Sequence, residues 1–280
     1  MNNQVSGRDH PHYYFFIRGL IRSRFHWHEF PGTFQQLLDQ KANQTSSAST
    51  LVFIDIPGNG ERFQQSTPFS IAHIAEDTQQ QIKAYLHSNK VSEKSKLHLV
   101  GISMGGMIAA ELISQIQSMK SKNDKAALNF TSLHIINSSF ANLSPFWQRM
   151  RLPAILNLLP KLWQTKSREA GILHWTSNRQ ESSRLVNAWV EEANKHPLAL
   201  RNAFAQLWAA SHYFVSQNPS INSYIYSSQQ DRLVDWRCSA KLAHYWRRPL
   251  YTHATAGHDL PLDSPDWLAQ QITNNSQNHD

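Results

Sequence analysis

Short β-rich apolar runs alternate with longer helical patterns along most of this chain of 280 residues. That alternation leaves few architectures open, chiefly a mostly parallel sheet covered by helices. His12–Arg18, Leu51–Asp55, Leu97–Ile102, Ser132–Asn137, Asn222–Tyr226 and Leu250–His253 read as strands. Thr33–Lys41, Ile71–His87, Met104–Met119, Asp235–Trp246 and Pro265–Thr273 read as helices. In the second of these, Ile71, Ile74, Ala75, Ile82, Tyr85 and Leu86 recur at helical spacing. The continuous apolar runs LVFID and LHLVG suit strands buried on both faces.

One stretch breaks the alternation. Residues 144–216 hold no clear strand, only helical patterns rich in aromatics. An insertion of that length between two strands is too long for a structureless loop. The expected organisation is therefore a core of residues 1–143 and 217–280 with a helical cap, 144–216, inserted in it. The polar stretches 44–50 and from 274 onward are expected to be mobile.

Composition removes several classes. Forty per cent hydrophobic residues exclude a disordered chain. The longest apolar runs, such as Tyr13–Ile17, are far short of the ~20 residues a membrane span needs. The first twelve residues show no apolar signal segment, and a lone cysteine, Cys238, suits a reducing compartment, so the expectation is a cytoplasmic protein. The net charge of +7 allows an anionic partner. With no long Lys/Arg run, no zinc spacing and no RNA-binding aromatic signature, nucleic acid is not expected to be that partner.

The ten glycines are about half the usual ~7 per cent. Seven of them, Gly19, Gly58, Gly60, Gly101, Gly105, Gly106 and Gly257, fall just past the expected strand ends. Unusual backbone angles or close approaches are thus concentrated at one edge of the sheet, the edge where ligands of open α/β sheets bind. Gly101-Ile102-Ser103-Met104-Gly105 follows an apolar strand and opens a helix. A turn this tight strains its central residue and lifts the Ser103 hydroxyl above the sheet edge.

A serine hydroxyl needs a base and the base needs an orienting acid. Of fifteen histidines, His258 lies in a loop just past the last strand and can return to the same edge; His253, its main rival, should still be in the strand. Asp231 falls in the loop after Asn222–Tyr226, whereas Asp235 begins a helix and has a ready role as its cap. The order Ser103, Asp231, His258 is the one such a turn calls for. Two backbone N–H groups should receive the oxyanion, that of Met104 after the nucleophile and that of Leu20 in the loop after the first strand.

In these motifs and their order the chain resembles the α/β-hydrolase superfamily. The resemblance implies an α/β-hydrolase fold with an inserted helical cap, and acyl chemistry on Ser103 with no metal or organic cofactor. Two departures stand out. Arg18 replaces the histidine that commonly precedes the oxyanion-loop glycine, and only about eleven residues precede the first strand. A reduced, mostly parallel sheet of about six strands is therefore expected.

The expected activity is hydrolysis of a small-molecule carboxylic ester or thioester, with Arg18, Gly19, Trp147 and Trp208 contacting substrate. The same triad also serves carbon–carbon cleavage, lyase or acyl-transfer chemistry, and the scaffold can serve as a non-catalytic binder. Nine basic residues against four acidic ones in 144–216 leave open an anionic substrate or an acidic acyl-carrier protein as partner.

Overall fold

A computed structural model describes residues 10–45, 48–121, 128–179, 182–216 and 218–277. The strands are β1 (His12–Ile17), β2 (Ser49–Ile54), β3 (Lys96–Ile102), β4 (Phe130–Ile136), β5 (Asn222–Ser228) and β6 (Leu250–His253). They form one sheet in the order β2-β1-β3-β4-β5-β6, and all five pairings are parallel. A mostly parallel sheet of six strands is what the alternation predicts.

The pleat divides β1 between two cores. Phe15 and Ile17 pack with α2 (Ile71–Ser88), α3 (Met104–Ser121) and α9 (Arg237–Trp246), while Tyr14 and Phe16 pack with α1 (Phe30–Thr45) and α11 (Pro265–Gln277). Helices on both faces explain why the inner strands β1, β3 and β4 are buried along nearly their whole length. On the α11 side, a chain of buried polar contacts crosses the strands. His12 Nδ1 is 2.9 Å from His98 Nε2, and His98 Nδ1 is 2.7 Å from Ser132 Oγ. Ser132 Oγ in turn meets His134 Nε2 at 2.7 Å, and His134 Nδ1 meets the Tyr226 hydroxyl at 2.8 Å. Mutual satisfaction is what makes such burial tolerable.

Between β4 and β5 lie α4 (Phe146–Arg149), α5 (Leu152–Leu158), α6 (Thr165–Thr176), α7 (Ser183–Lys195) and α8 (Leu200–Ser211). Ile172, Leu173, Val186 and Trp189 give this insert a small core of its own, joined by Leu262 of the short helix α10 (Leu260–Asp263). Polar contacts seat it on the sheet edge: Gln206 Oε1 accepts from the Ile21 N–H at 2.8 Å, and Asn202 Oδ1 from the Thr67 N–H at 3.0 Å.

Two polar stretches are more ordered than their composition suggests. Gln44 and Thr45 end α1, Ser49 and Thr50 begin β2, and α11 runs on to Gln277; residues 46–47 and 278–280 lie outside the described ones. A neighbouring element supports each ordered part, since β2 pairs with β1 and Ser276 Oγ contacts His134 Nε2 at 3.2 Å. No helix among the described residues is long and apolar enough to cross a membrane.

Candidate active site

The sheet reverses direction of growth at β1, which lies between β2 and β3. The loops after β1 and β3 are thereby neighbours at the carboxyl edge, where ligands of such sheets bind. Ser103 follows β3 and opens α3 with φ of +56°, a left-handed conformation rare for residues other than glycine. Its N–H donates to Ile136 O at 2.8 Å, and Ser138 Oγ donates to its carbonyl at 2.7 Å, so neighbours on both sides hold the strained turn. A Cβ on Gly105 would lie 2.2 Å from Ile17 O, and one on Gly19 would lie 3.0 Å from Ser103 Cβ. Only glycine lets the start of α3, β1 and the following loop come this close.

The other two polar groups come from loops beyond β5 and β6. Asp231 is buried; its Oδ1 accepts the N–H groups of Leu233 and Val234 at 2.8 and 2.9 Å. Its Oδ2 is 2.6 Å from His258 Nδ1. A carboxylate anchored through one oxygen and bonded to an imidazole through the other fixes both the tautomer and the tilt of the ring. His258 and Ser103 line one cavity with Arg18, Gly19, Leu20 and Met104. From the insert, Phe146, Leu158, Ile172 and Leu207 contribute apolar walls to it.

The rival residues are occupied elsewhere. His253 ends β6, accepts the Ala256 N–H at 3.0 Å on Nδ1 and packs edge-on to Trp267. Asp235 accepts the Arg237 N–H at 3.0 Å but stands one residue ahead of Trp236, the N-cap of α9, so it is held at the helix entrance rather than serving as the cap itself.

Two residues expected at the substrate are displaced. Trp147 and Trp208 are exposed and absent from the cavity wall. The helical phase is responsible. Phe146 and Arg149 of α4 and Leu207, Ala210 and Ser211 of α8 line the cavity, Phe146 and Leu207 while still open to solvent, and the tryptophans beside them point elsewhere. Trp208 stacks on His212 with centroids 4.1 Å apart.

Arg18 reaches the cavity wall, but its charge is already matched. Nη1 and Nη2 donate to the two carboxylate oxygens of Asp259 at 3.1 and 2.8 Å, both side chains being buried, and the guanidinium lies over the Trp27 ring. Burial alone would raise the Asp259 carboxyl; the Arg18 charge and its hydrogen bonds outweigh this and hold it below the ordinary carboxylate range. Asp259 directly follows His258, so the pair bolts the loop after β1 to the histidine loop.

Asn137, which the sequence reading passed over, does similar work. At φ of +46° beyond β4, it donates through Nδ2 to His258 O at 2.8 Å and accepts the Ser228 N–H on Oδ1 at 2.8 Å. Its sequence signal is an asparagine as the last residue of an expected strand, a residue type that tolerates left-handed backbone.

A model of the alpha/beta hydrolase family matches residues 15–271. The chain belongs to the α/β-hydrolase family. Solved structures with this hydrolase fold include a putative lipase from Acinetobacter baumannii, 17% identical, with 95% of this chain and 83% of that one aligned at a TM-score of 0.67. A lipase-esterase related protein from Clostridium acetobutylicum is 14% identical over 96% of each chain, also at 0.67. A putative aryl esterase from Burkholderia cenocepacia is 17% identical over 95% of this hydrolase and 89% of its own length, at 0.65. Identities this low speak for the fold alone. A search of curated proteins finds no match to the sequence.

Proposed function

We propose that this α/β-hydrolase is a serine esterase acting on carboxylic esters with an apolar acyl group. The 2.6 Å contact between His258 and Asp231, on an imidazole that shares an apolar cavity with the strained Ser103, carries the reading. Ser103 Oγ attacks the ester carbonyl carbon while His258 Nε2 takes its proton. The tetrahedral oxyanion is received by two N–H groups, those of Met104 and Leu20. Met104 opens α3, ahead of the helical ladder, whereas the N–H groups of Ile21 and Arg22 beside Leu20 are engaged by Gln206 and Gly19. His258 then returns the proton to the departing alkoxide. Water, activated by the same imidazole, releases the acid and regenerates the Ser103 hydroxyl.

The helices between β4 and β5 act as a cap, 144–216, over a core of 1–143 and 217–280. Their small internal core and the walls they lend the cavity support this division. The cavity lining favours an apolar acyl chain over an anionic one. Arg18 is neutralised by Asp259, Glu169 lies between Arg22 and Arg168 at 2.7 and 2.9 Å, and the Arg149 guanidinium is engaged by the Ser211 and Ala210 carbonyls. Thioesters, with the same carbonyl and a better leaving group, suit the same machinery, and no cofactor takes part.

A fluorophosphonate probe should label the wild type and leave Ser103→Ala and His258→Ala unlabelled. Asp231→Asn should keep the fold and lose roughly 10⁴-fold in kcat on a nitrophenyl ester. Labelling that persists in Ser103→Ala would remove the assignment.

A further inference from the structure

Residues 144–166 contain Arg149, Arg151, Lys161 and Lys166 and no acidic residue. Within them, Leu152 and Leu156 sit one turn apart on α5, and Leu159 and Trp163 follow in the 3-10 turn and the residues just after it. All four are exposed, Leu156 at 65% and Trp163 at 70%, as is Trp147 of the adjoining α4 at 70%. Ala154 and Leu158 of the same helix turn inward, and Leu158 belongs to the wall of the cavity that holds Ser103. One helix about 10 Å across therefore separates the cavity from an outward apolar stripe.

Scattered exposed leucines are ordinary, but a run of leucines ending in a tryptophan, in a segment whose charged residues are all cations, is not. Arg149 is turned inward and donates to Ser211 O and Ala210 O, while Arg151, Lys161 and Lys166 keep at least partial access to water. Glu169, the first acidic residue after the stripe, is buried between two arginines and offers these cations no counter-charge. We propose that this face docks on an anionic lipid surface, with the apolar side chains entering the headgroup boundary and Arg151, Lys161 and Lys166 contacting lipid phosphates. Lysines and arginines bordering Leu and Trp are the pattern such a surface selects. A second copy of the chain fits poorly, because a two-fold contact through this face would oppose the same cations. An acidic carrier protein would answer the charges but leave the apolar tips uncovered.

The proposal does not depend on the esterase reading, because its test needs no turnover. Sedimentation with phosphatidylcholine vesicles, with and without phosphatidylglycerol, measures it directly on the Ser103→Ala protein. Binding should require phosphatidylglycerol and weaken as salt is raised. The double variant Leu156→Glu, Trp163→Ala should bind at least about tenfold more weakly, and Lys166→Glu about fivefold more weakly or worse. None of these side chains lines the cavity. In an otherwise wild-type background, unchanged labelling by the fluorophosphonate, or an unchanged melting curve where no labelling occurs, certifies the fold. Failure to bind either vesicle overturns the proposal. So does a self-association that the double variant abolishes, or binding that the double variant retains in full.

Discussion

At position 18 a guanidinium stands where a neutral imidazole is common in the family, and its consequence follows from burial. Arg18 and Asp259 are each about 95% buried or more, and each is the other's counter-charge. Removing one leaves the other ionised in a poor solvent, an arrangement that costs about 3–5 kcal/mol. Arg18→Met should lower stability by that amount in urea unfolding, and Arg18→Met with Asp259→Leu should recover most of it, since a well-packed apolar pair is often as stable as the ion pair it replaces. Failure of the double variant to recover would mean that the pair does more than neutralise itself. Motif and chain order point to Ser103, Asp231 and His258, and the fold sets the first and last on one cavity with Asp231 2.6 Å from the imidazole. The partner of Arg18 was not legible, because no local pattern marks a contact spanning 241 positions.

Elements bring those residues together, and the tightest junction is where α3 leaves β3 beneath the end of β1. A Cβ on Gly105 would meet the Ile17 and Arg18 carbonyl oxygens at 2.2 and 2.7 Å, backbone atoms at the end of β1 that cannot swing aside. Gly105→Ala should push the N-terminus of α3 away from β1, lowering the thermal midpoint and reducing kcat far more than KM. Equal activity in the alanine variant would show that the junction has slack. The inner strands were readable from their apolar runs and β6, none of whose residues is buried, from a short β-rich run at the edge, and the helices because their apolar faces recur. The insert was readable as helical but not in rotation. Trp147 and Trp208 are as apolar as Phe146 and Leu207 beside them, and only packing decides which of each pair reaches the cavity wall. The polar 274–277 stretch became helix because the sheet offered it His134 as a partner.

Over the whole molecule, histidines held neutral by burial set the response to acid. Burial pushes His134 down to about 3 and His28 to about 4, and His98 and His26 well below their ordinary value. In the unfolded chain these groups titrate near 6.5, so between 6.5 and the folded values the unfolded state binds more protons. Their contribution is complete above about pH 6.5 and is lost as the pH falls toward 4, by up to about 1.4 kcal/mol per pH unit for each histidine. Unfolding free energy should therefore decline from pH 7 to pH 5, and His134→Asn should make the decline shallower whatever it does at neutral pH. The ion pair between positions 18 and 259 also bears on biosynthesis. Arg18 leaves the ribosome with β1 and waits while 241 further residues are made before Asp259 emerges. A nascent chain can thus build most of the sheet yet hold an uncompensated cation beside it until the loop after β6 emerges and supplies the carboxylate.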